Sequence, residues 1–407
     1  MQRVTASQIR MKGNYRAIFR QFSCLYMLAG AFACLAQPLA HEAGLPYLTS
    51  YSPASYRAFS QNWAMVQDAR GLMYAGNGDG VLEYDGVNWR LIPTGNRTTV
   101  RSLAIDLTGR IYAGAARDFG YLAPDAQGQL NYVSLLPQLD EAHRDFDRVH
   151  NVFATPQGVF FHTDKRIFCL RDTIFRVWAE GPYTLAAWLH DRRYVLHLEK
   201  GLCTLESDTM RVLLPLSALP PGPIHALAAY PDGQVLICTN SFPFFLFDGR
   251  VLQPFGGPVA RRLAGTRIIR ARALPEGMLG FATYGEGLVI SDLNGNILRV
   301  MNKESGLTSD IVFDMTIDRQ KGLWLATDNG ITRAETFSPL SNFDAGNGLE
   351  GPVNGLIRHR GRLFAATGLG VYLLQPGDAS GQMPRFGMFH NLRMQTFGFL
   401  AQGEDLL

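Results

Sequence analysis

The chain has little charge and no excess of either sign. Only 18% of its 407 residues are charged, and 38 basic against 35 acidic side chains leave a formal net charge of +3 with no block of like charge. A nucleic-acid partner needs a basic patch or stripe, so none is expected. Cysteine is scarce: Cys24 and Cys34 lie in an N-terminal leader, and Cys169, Cys203 and Cys238 follow without a CxxC pair. That pattern excludes a disulfide framework and a cysteine zinc site, and the three inner thiols, each in an apolar strand-like run, read as small buried hydrophobes. Nine histidines are scattered without HxxxH or HExxH spacing, and GxSxG, the P-loop and a helix-opening GxGxxG are all missing. No metal, cofactor or catalytic residue is therefore expected.

Long apolar runs are also missing, apart from one near the start. Arg10, Lys12, Arg16 and Arg20 precede Cys24 to Ala36, a basic segment followed by a short apolar run that ends in small residues. This is the pattern of a secretory signal peptide over residues 1–40, with Met1 or Met11 as its start. The run is short for a membrane span. The mature chain is expected at the periplasmic or extracellular face.

What the sequence does have is glycine, 42 residues of it, and the glycines recur. A short apolar run, a polar turn ending in Gly and a second apolar run repeat, with turn markers at Gly71, Gly109, Gly158, Gly233, Gly277, Gly322, Gly361 and Gly403. One gap is doubled. Inside it Leu185 to Leu205 is a degenerate copy whose turn, Asp191-Arg192-Arg193, has lost its glycine, and the mean period is about 41 residues. Runs of five to seven β-branched or aromatic residues between glycine turns are too short for helical repeats. They fit an all-β propeller of four-stranded blades. Asp79-Gly80, Asp85-Gly86, Asp248-Gly249, Asn294-Gly295 and Asn329-Gly330 suit the tight hairpins within a blade. The expectation is a seven-bladed propeller over residues 41–385, with 386–407 starting a further, truncated repeat; eight blades in one ring is the alternative.

Two stretches carry a more specific likeness. Gly306-Leu307-Thr308-Ser309-Asp310-Ile311-Val312-Phe313-Asp314, followed by Gly322-Leu323-Trp324-Leu325-Ala326-Thr327-Asp328-Asn329-Gly330-Ile331, resembles the two-component regulator propeller repeat. Asn62 to Asp68, Gly71 to Tyr74 and Gly80 to Trp89 resemble the opening repeat of the same proteins. Repeats three to five depart from the pattern, with Phe160, Val195 and Val235 in place of the Trp. The resemblance implies a periplasmic ligand-sensing region of a bacterial signalling protein, usually followed by a second propeller, a triple-tyrosine domain, a membrane helix and a cytoplasmic output domain. It also implies a small polar ligand such as a glycan, a possible homodimer, and membrane contact only through a segment downstream.

Aligning the repeats on the turn glycine places two positions early in each first strand in register. The outer gives Trp63, Arg101, His150, His225, Ile269, Phe313 and Val353; the next gives Ala64, Ser102, Asn151, Ala226, Arg270, Asp314 and Asn354. First strands are innermost in a propeller, so these positions, with Arg117, Asp118, Asp164, Asn240, Tyr284, Glu286 and Asp328 from the loops after the second strands, are expected around one channel mouth. Arg101, His150, Asn151, His225, Arg270, Asp314 and Asn354 are the candidate ligand-binding residues, with Arg270 and Asp314 expected to be open to solvent. The competing reading is structural, since polar residues there can simply bond neighbouring blades or channel water. A propeller enzyme, a lyase or glycosidase, is the alternative function, but it needs convergent acid and base groups, and Asp314 has no carboxylate partner in register. A non-catalytic interaction platform is the third reading.

Overall fold

The computed structural model describes residues 42–95, 97–172, 174–206, 209–378 and 381–407, so the leader expected at 1–40 lies outside the described residues. Seven sheets of four antiparallel strands succeed one another as blades 1 to 7. Their innermost strands are Asn62–Gln67, Val100–Ile105, Val149–Thr155, Tyr183–Leu189, Ile224–Ala229, Ile268–Leu274 and Val312–Ile317. Each packs on the next and the seventh packs on the first, which makes a closed ring. Among the described residues no helix is long and apolar enough to cross a membrane.

The degenerate fourth repeat is a complete blade. Its first hairpin turns through His190 and Asp191, which adopt φ of 49° and 57° where other repeats use glycine. Short polar residues tolerate that left-handed region, and so the turn survives the loss of its glycine.

Ring closure uses both ends of the ring sequence. Blade 7 draws three strands, Val312–Ile317, Leu323–Thr327 and Gly330–Ala334, from its own repeat. Its outermost strand is Leu48–Tyr51, antiparallel to Gly330–Ala334 with Leu48 opposite Ala334 and Tyr51 opposite Ile331. Gly330 is required here twice over: its φ is 105°, and a Cβ would stand 2.7 Å from the carbonyl oxygen of Tyr51. The ring therefore ends at Ala334 and not near residue 385.

An eighth four-stranded sheet, Val353–His359, Arg362–Thr367, Gly370–Gln375 and Arg385–Met388, stands outside the ring, followed by a hairpin of Ala401–Gln402 and Asp405–Leu406. The boundary expected at 385/386 falls at the start of that sheet's last strand. The repeat period counted this sheet with the ring because its glycine turn is the same, while the strand that completes the ring comes from the chain's beginning.

Apolar clusters between consecutive blades form the core. In three blades an aspartate, buried in blades 1 and 7 and half-buried in blade 2, also pins the first hairpin: Asp318 accepts from Trp324 Nε1 at 2.8 Å and from Gly322 N at 2.6 Å, and Asp68 and Asp106 accept from the hydroxyls of Tyr74 and Tyr112 at 3.3 and 3.2 Å. Burial disfavours the Asp318 carboxylate, yet the bonds from Arg333, Trp324 and Gly322 outweigh it and hold the group below its ordinary range. Acceptor and aromatic donor lie six residues apart each time. At the same pairing position the other blades carry Phe160, Tyr194, Leu236 and Gly280, so Val195 and Val235, expected in place of the Trp, stand one residue to its side; at the aspartate position they carry Thr155, Leu189, Tyr230 and Leu274, none of them a carboxylate.

Tyr51 stacks on Trp324 at 5.6 Å and 4°, meets Trp89 edge-on at 5.3 Å and shares a hydroxyl contact with Tyr84 at 3.1 Å. One side chain thus ties the closing strand to blades 7 and 1. Tyr51→Ala is expected to destabilise the ring by about 2–4 kcal/mol, as aromatic truncations in packed sites do. Urea unfolding of both proteins measures the difference; a loss under about 1 kcal/mol would mean that the closing strand contributes little.

Candidate functional site

Every inner strand of the ring carries a β-bulge at its second residue. Pairing with the next strand slips between Asn62 and Ala64, Val100 and Ser102, Val149 and Asn151, Tyr183 and Leu185, Ile224 and Ala226, Ile268 and Arg270, and Val312 and Asp314. The skipped residues are Trp63, Arg101, His150, Thr184, His225, Ile269 and Phe313. A bulge residue is left out of the ladder and its side chain is re-aimed, a device common beside functional sites. Because the strands are antiparallel, the loops after the second strands lie at this same end. The expected outer register is therefore a ring of seven bulges around the mouth.

The side chains of that ring interact in sequence. Phe313 and Trp63 stack at 3.9 Å and 23°, and the Arg101 guanidinium lies 3.9 Å from the Trp63 ring centre. Burial, then the like charge of Arg148, pushes Arg101 below its ordinary value, and the same two causes in the same order lower His150. His225 is lowered by burial and then by Arg267, and its Nδ1 accepts from Ile268 N at 3.3 Å. Both imidazoles are thus held towards the neutral form, which can donate and accept at once.

The next register holds the channel together. Arg270 of blade 6 donates from Nη1 to Asn151 Oδ1 of blade 3 at 3.1 Å, so side chains from three blades apart meet across the axis. The Arg270 side chain is 27% exposed, which makes it reachable as expected. Asp314 is not. Its side chain is only 3% exposed, and it accepts from Arg272 Nη2 at 3.0 Å and Met65 N at 3.1 Å, with Arg270 Nε at 3.4 Å. It ties blades 6, 7 and 1 together and has little lone-pair capacity left for a ligand, so the structural reading holds for this residue.

Asn354 is a second correction. It sits in the eighth sheet outside the ring, where it is exposed and donates to the carbonyl of Thr396 at 2.8 Å. The slip in that sheet falls between Val353 and Gly355, so Asn354 and not Val353 is the bulge residue, one position off the expected alignment.

Of the loop residues, Asp118 is buried and taken up by Ser134 Oγ at 2.6 Å, and Glu286 pairs with Arg262 at 2.8 Å. Asp164 Oδ1 accepts from Asp147 N at 3.4 Å, Asp328 accepts from Gln61 Nε2 at 2.5 Å, Asn240 accepts from Ser241 Oγ at 3.2 Å, and Tyr284 is exposed. Arg117 has a positive φ of 56° and donates its backbone N–H to Asp147 O.

Thr184, Arg272 and Arg148 were not singled out in the sequence. Thr184 was hidden by the missing turn glycine, whereas Arg272 follows from strand alternation, two residues beyond Arg270 on the same face. Among the described residues no group of three or more His, Cys, Asp or Glu side chains is placed to hold a metal ion.

Behind His150 lies His162, fully buried, its ring 5.7 Å from His150 and 6.0 Å from Tyr183, with no hydrogen-bond partner for either nitrogen among the described residues. Burial, reinforced by the neighbouring His150, lowers its pKa to about 3. Unfolded histidine titrates near 6.5, so the unfolded chain binds a proton first as pH falls, and this stability contribution is whole above pH 6.5 and is lost towards pH 3. At pH 5 the loss amounts to roughly 2 kcal/mol. Urea unfolding at pH 7.5 and 5.0 is expected to show that much less acid sensitivity in His162→Phe; equal sensitivity would show that another group is responsible. Asp314→Ala, which strands two arginines and the Met65 amide, is expected to cost about 2–3 kcal/mol. Thermal and urea unfolding measure it, and an unchanged stability would return Asp314 to the ligand-binding set.

No protein-family model matches the chain, and no curated protein matches it in sequence. Solved structures do. The extracellular domain described as that of a hybrid two component system, BT3049, from B. thetaiotaomicron superimposes with a TM-score of 0.61 at 16% identity, over 88% of this chain and 51% of that one. That of a one component system, BT4673, from the same organism gives 0.56 and 16%, over 88% and 50%. This chain thus spans about half the length of these two structures. Virginiamycin B lyase from Staphylococcus aureus gives 0.55 at 12% identity, over 70% of this chain and 98% of that one. At such identities the likeness establishes the fold: the chain is a β-propeller similar to the sensor propellers expected from its repeats.

Proposed function

We propose that this chain is a ligand-sensing region of an exported bacterial signalling protein, and that the ring of bulges binds a small polar ligand such as an oligosaccharide. The observation that carries the reading is the ring itself. Arg101, His150 and His225 come from three repeats, and the bulges turn all three to one mouth, where Arg270 and Asn151 form the floor. A guanidinium over an indole and half-buried imidazoles held towards the neutral form suit hydroxyl-rich or anionic groups. The two extracellular domains of signalling systems that share the fold support sensing over catalysis, as does the engagement of Asp314, the one inner-register carboxylate, in holding three blades together. The eighth sheet fits the start of a second ring, and the leader fits export to the periplasm with the output domain on the far side of a membrane.

Thermal-shift screening of a glycan and metabolite panel tests the mouth. A ligand present at about one hundred times its Kd stabilises the folded chain by roughly 2.7 kcal/mol. The expected result is a hit whose stabilisation is lost in Arg101→Ala and His225→Ala; the first keeps the unliganded melting temperature, and the second, which also frees the Ile268 amide, is read as the ligand-induced shift from its own baseline. A hit whose stabilisation survives both, and Arg270→Ala as well, would place the site elsewhere.

A further inference from the structure

A cavity of about 460 Å³ opens between blades 3 and 4 at the face opposite the mouth, beside the turns that join first to second and third to fourth strands. Its wall from blade 3 includes Phe160, Arg171 and Trp178, and its wall from blade 4 includes Arg193. The Arg193 guanidinium packs against an edge-to-face pair of aromatic rings, 4.3 Å from the centre of Trp178 and 4.4 Å from that of Phe160, with Trp188 at 5.6 Å. Its Nε donates to the carbonyl of Leu205 at 3.2 Å. Two rings and one hydrogen bond fix the plane of the fork, while among the described residues its two Nη groups have no hydrogen-bond partner. A rigid guanidinium edge with both Nη groups unengaged matches the two oxygens of a carboxylate, and holding it in advance removes the entropy of ordering it on binding.

The surrounding charges narrow the ligand. Arg171, Arg176 and Arg192 also line the cavity, and among the described residues none of the four arginines makes an ion pair. Asp172, Asp191 and Glu206 stand exposed at the turns that form the rim. A polyanion would meet those rim carboxylates unfavourably, whereas hydroxyl groups can donate to them. The volume is within the range of small-molecule sites.

We infer that the cleft between blades 3 and 4 binds a hydroxylated organic acid of up to about disaccharide size, its carboxylate on the Arg193 fork and its hydroxyls on the acidic rim. The site is separate from the mouth, and the inference stands whether or not the chain is a sensor. Two sources share this chemistry, a sugar acid and a hydroxylated aromatic acid.

Calorimetric titration of the whole chain, followed in parallel by tryptophan fluorescence because Trp178 lines the cleft, tests it with four probes: a uronic-acid disaccharide, the matching neutral disaccharide, 4-hydroxybenzoate and inorganic phosphate. Binding of the uronic-acid disaccharide or of 4-hydroxybenzoate supports the inference and tells the sources apart. The neutral disaccharide and phosphate are expected to bind at least about tenfold more weakly than the better acid. Arg193→Lys, which keeps the charge and loses the fork, should weaken the acid by about tenfold or more. Arg171→Gln, at an exposed position that leaves the aromatic pair under Arg193 intact, should weaken it several-fold without lowering the melting temperature. Arg101→Ala in the mouth should leave it unchanged. No binding of either acid, phosphate binding as tightly as the acids, or acid affinity unaltered in both Arg193→Lys and Arg171→Gln would overturn the inference.

Discussion

A sheet presents unpaired N–H and C=O groups along its edges, and a ring of sheets has to hide them most urgently where the chain's last blade meets its first. Here the solution is Leu48–Tyr51, four residues from outside the repeat that complete blade 7 from the other end of the ring sequence. The remaining geometry depends on that closure. With blade 7 fixed, Phe313 reaches Trp63, Asp314 reaches Met65, and the aromatic group of Tyr51, Tyr84, Trp89 and Trp324 fills the seam. An open ring would splay the inner strands, and neither the mouth nor the Arg270 to Asn151 contact across the axis would exist.

Two local devices then give the blades their individual characters. Blades 1, 2 and 7 are pinned by an aspartate that saturates the first hairpin and its aromatic, so their hairpins are polar-bonded as well as packed. Blades 3 to 6 lack that acceptor and rely on apolar contact between faces. Blades 3 and 4 meet through Phe160, Ile167, Cys169, Ala186, Val195, Cys203 and Leu205, several of them small. The cleft that Arg193 lines opens at this interface. Weaker pinning and looser filling thus coincide in the same pair of blades.

Much of this architecture was legible in the sequence, and the failures have physical causes. Period, strand length and turn glycines identify a propeller because each blade repeats one solution to burying two faces. The outer register was correct for Trp63, Arg101, His150, His225 and Ile269 because each lies eight residues before its turn glycine, and for Phe313, nine before Gly322, because its motif carries one more turn residue. It slipped at Asn354, where the turn differs by one residue and strand alternation converts one residue into the opposite face. Asp314 was misjudged because sequence gives the end of the strand at which a carboxylate sits, and its fate is decided by Arg272 and Met65 from neighbouring blades. The closing strand left no signal at all: Leu-Thr-Ser-Tyr is too short and too ordinary to announce a partner 280 residues away. The cleft between blades 3 and 4 depends on side-chain volumes across an interface, which no periodicity records.

The bulges have a consequence for how such a protein can change over generations. A residue in a ladder is constrained by its cross-strand partner and by the blade behind it, but a bulge residue contributes no ladder bond and faces the open mouth. Of the seven skipped positions, Arg101, His150, Thr184 and Ile269 are at least partly exposed and can be exchanged with smaller penalty to folding than the buried Phe313, its stacking partner Trp63 or the hydrogen-bonded His225. Several such choices on one scaffold amount to a combinatorial alphabet with neighbouring letters coupled where side chains stack: drift at these sites can retune recognition while selection on stability acts on the rest of each strand, and repeat duplication can deliver new letters already in place.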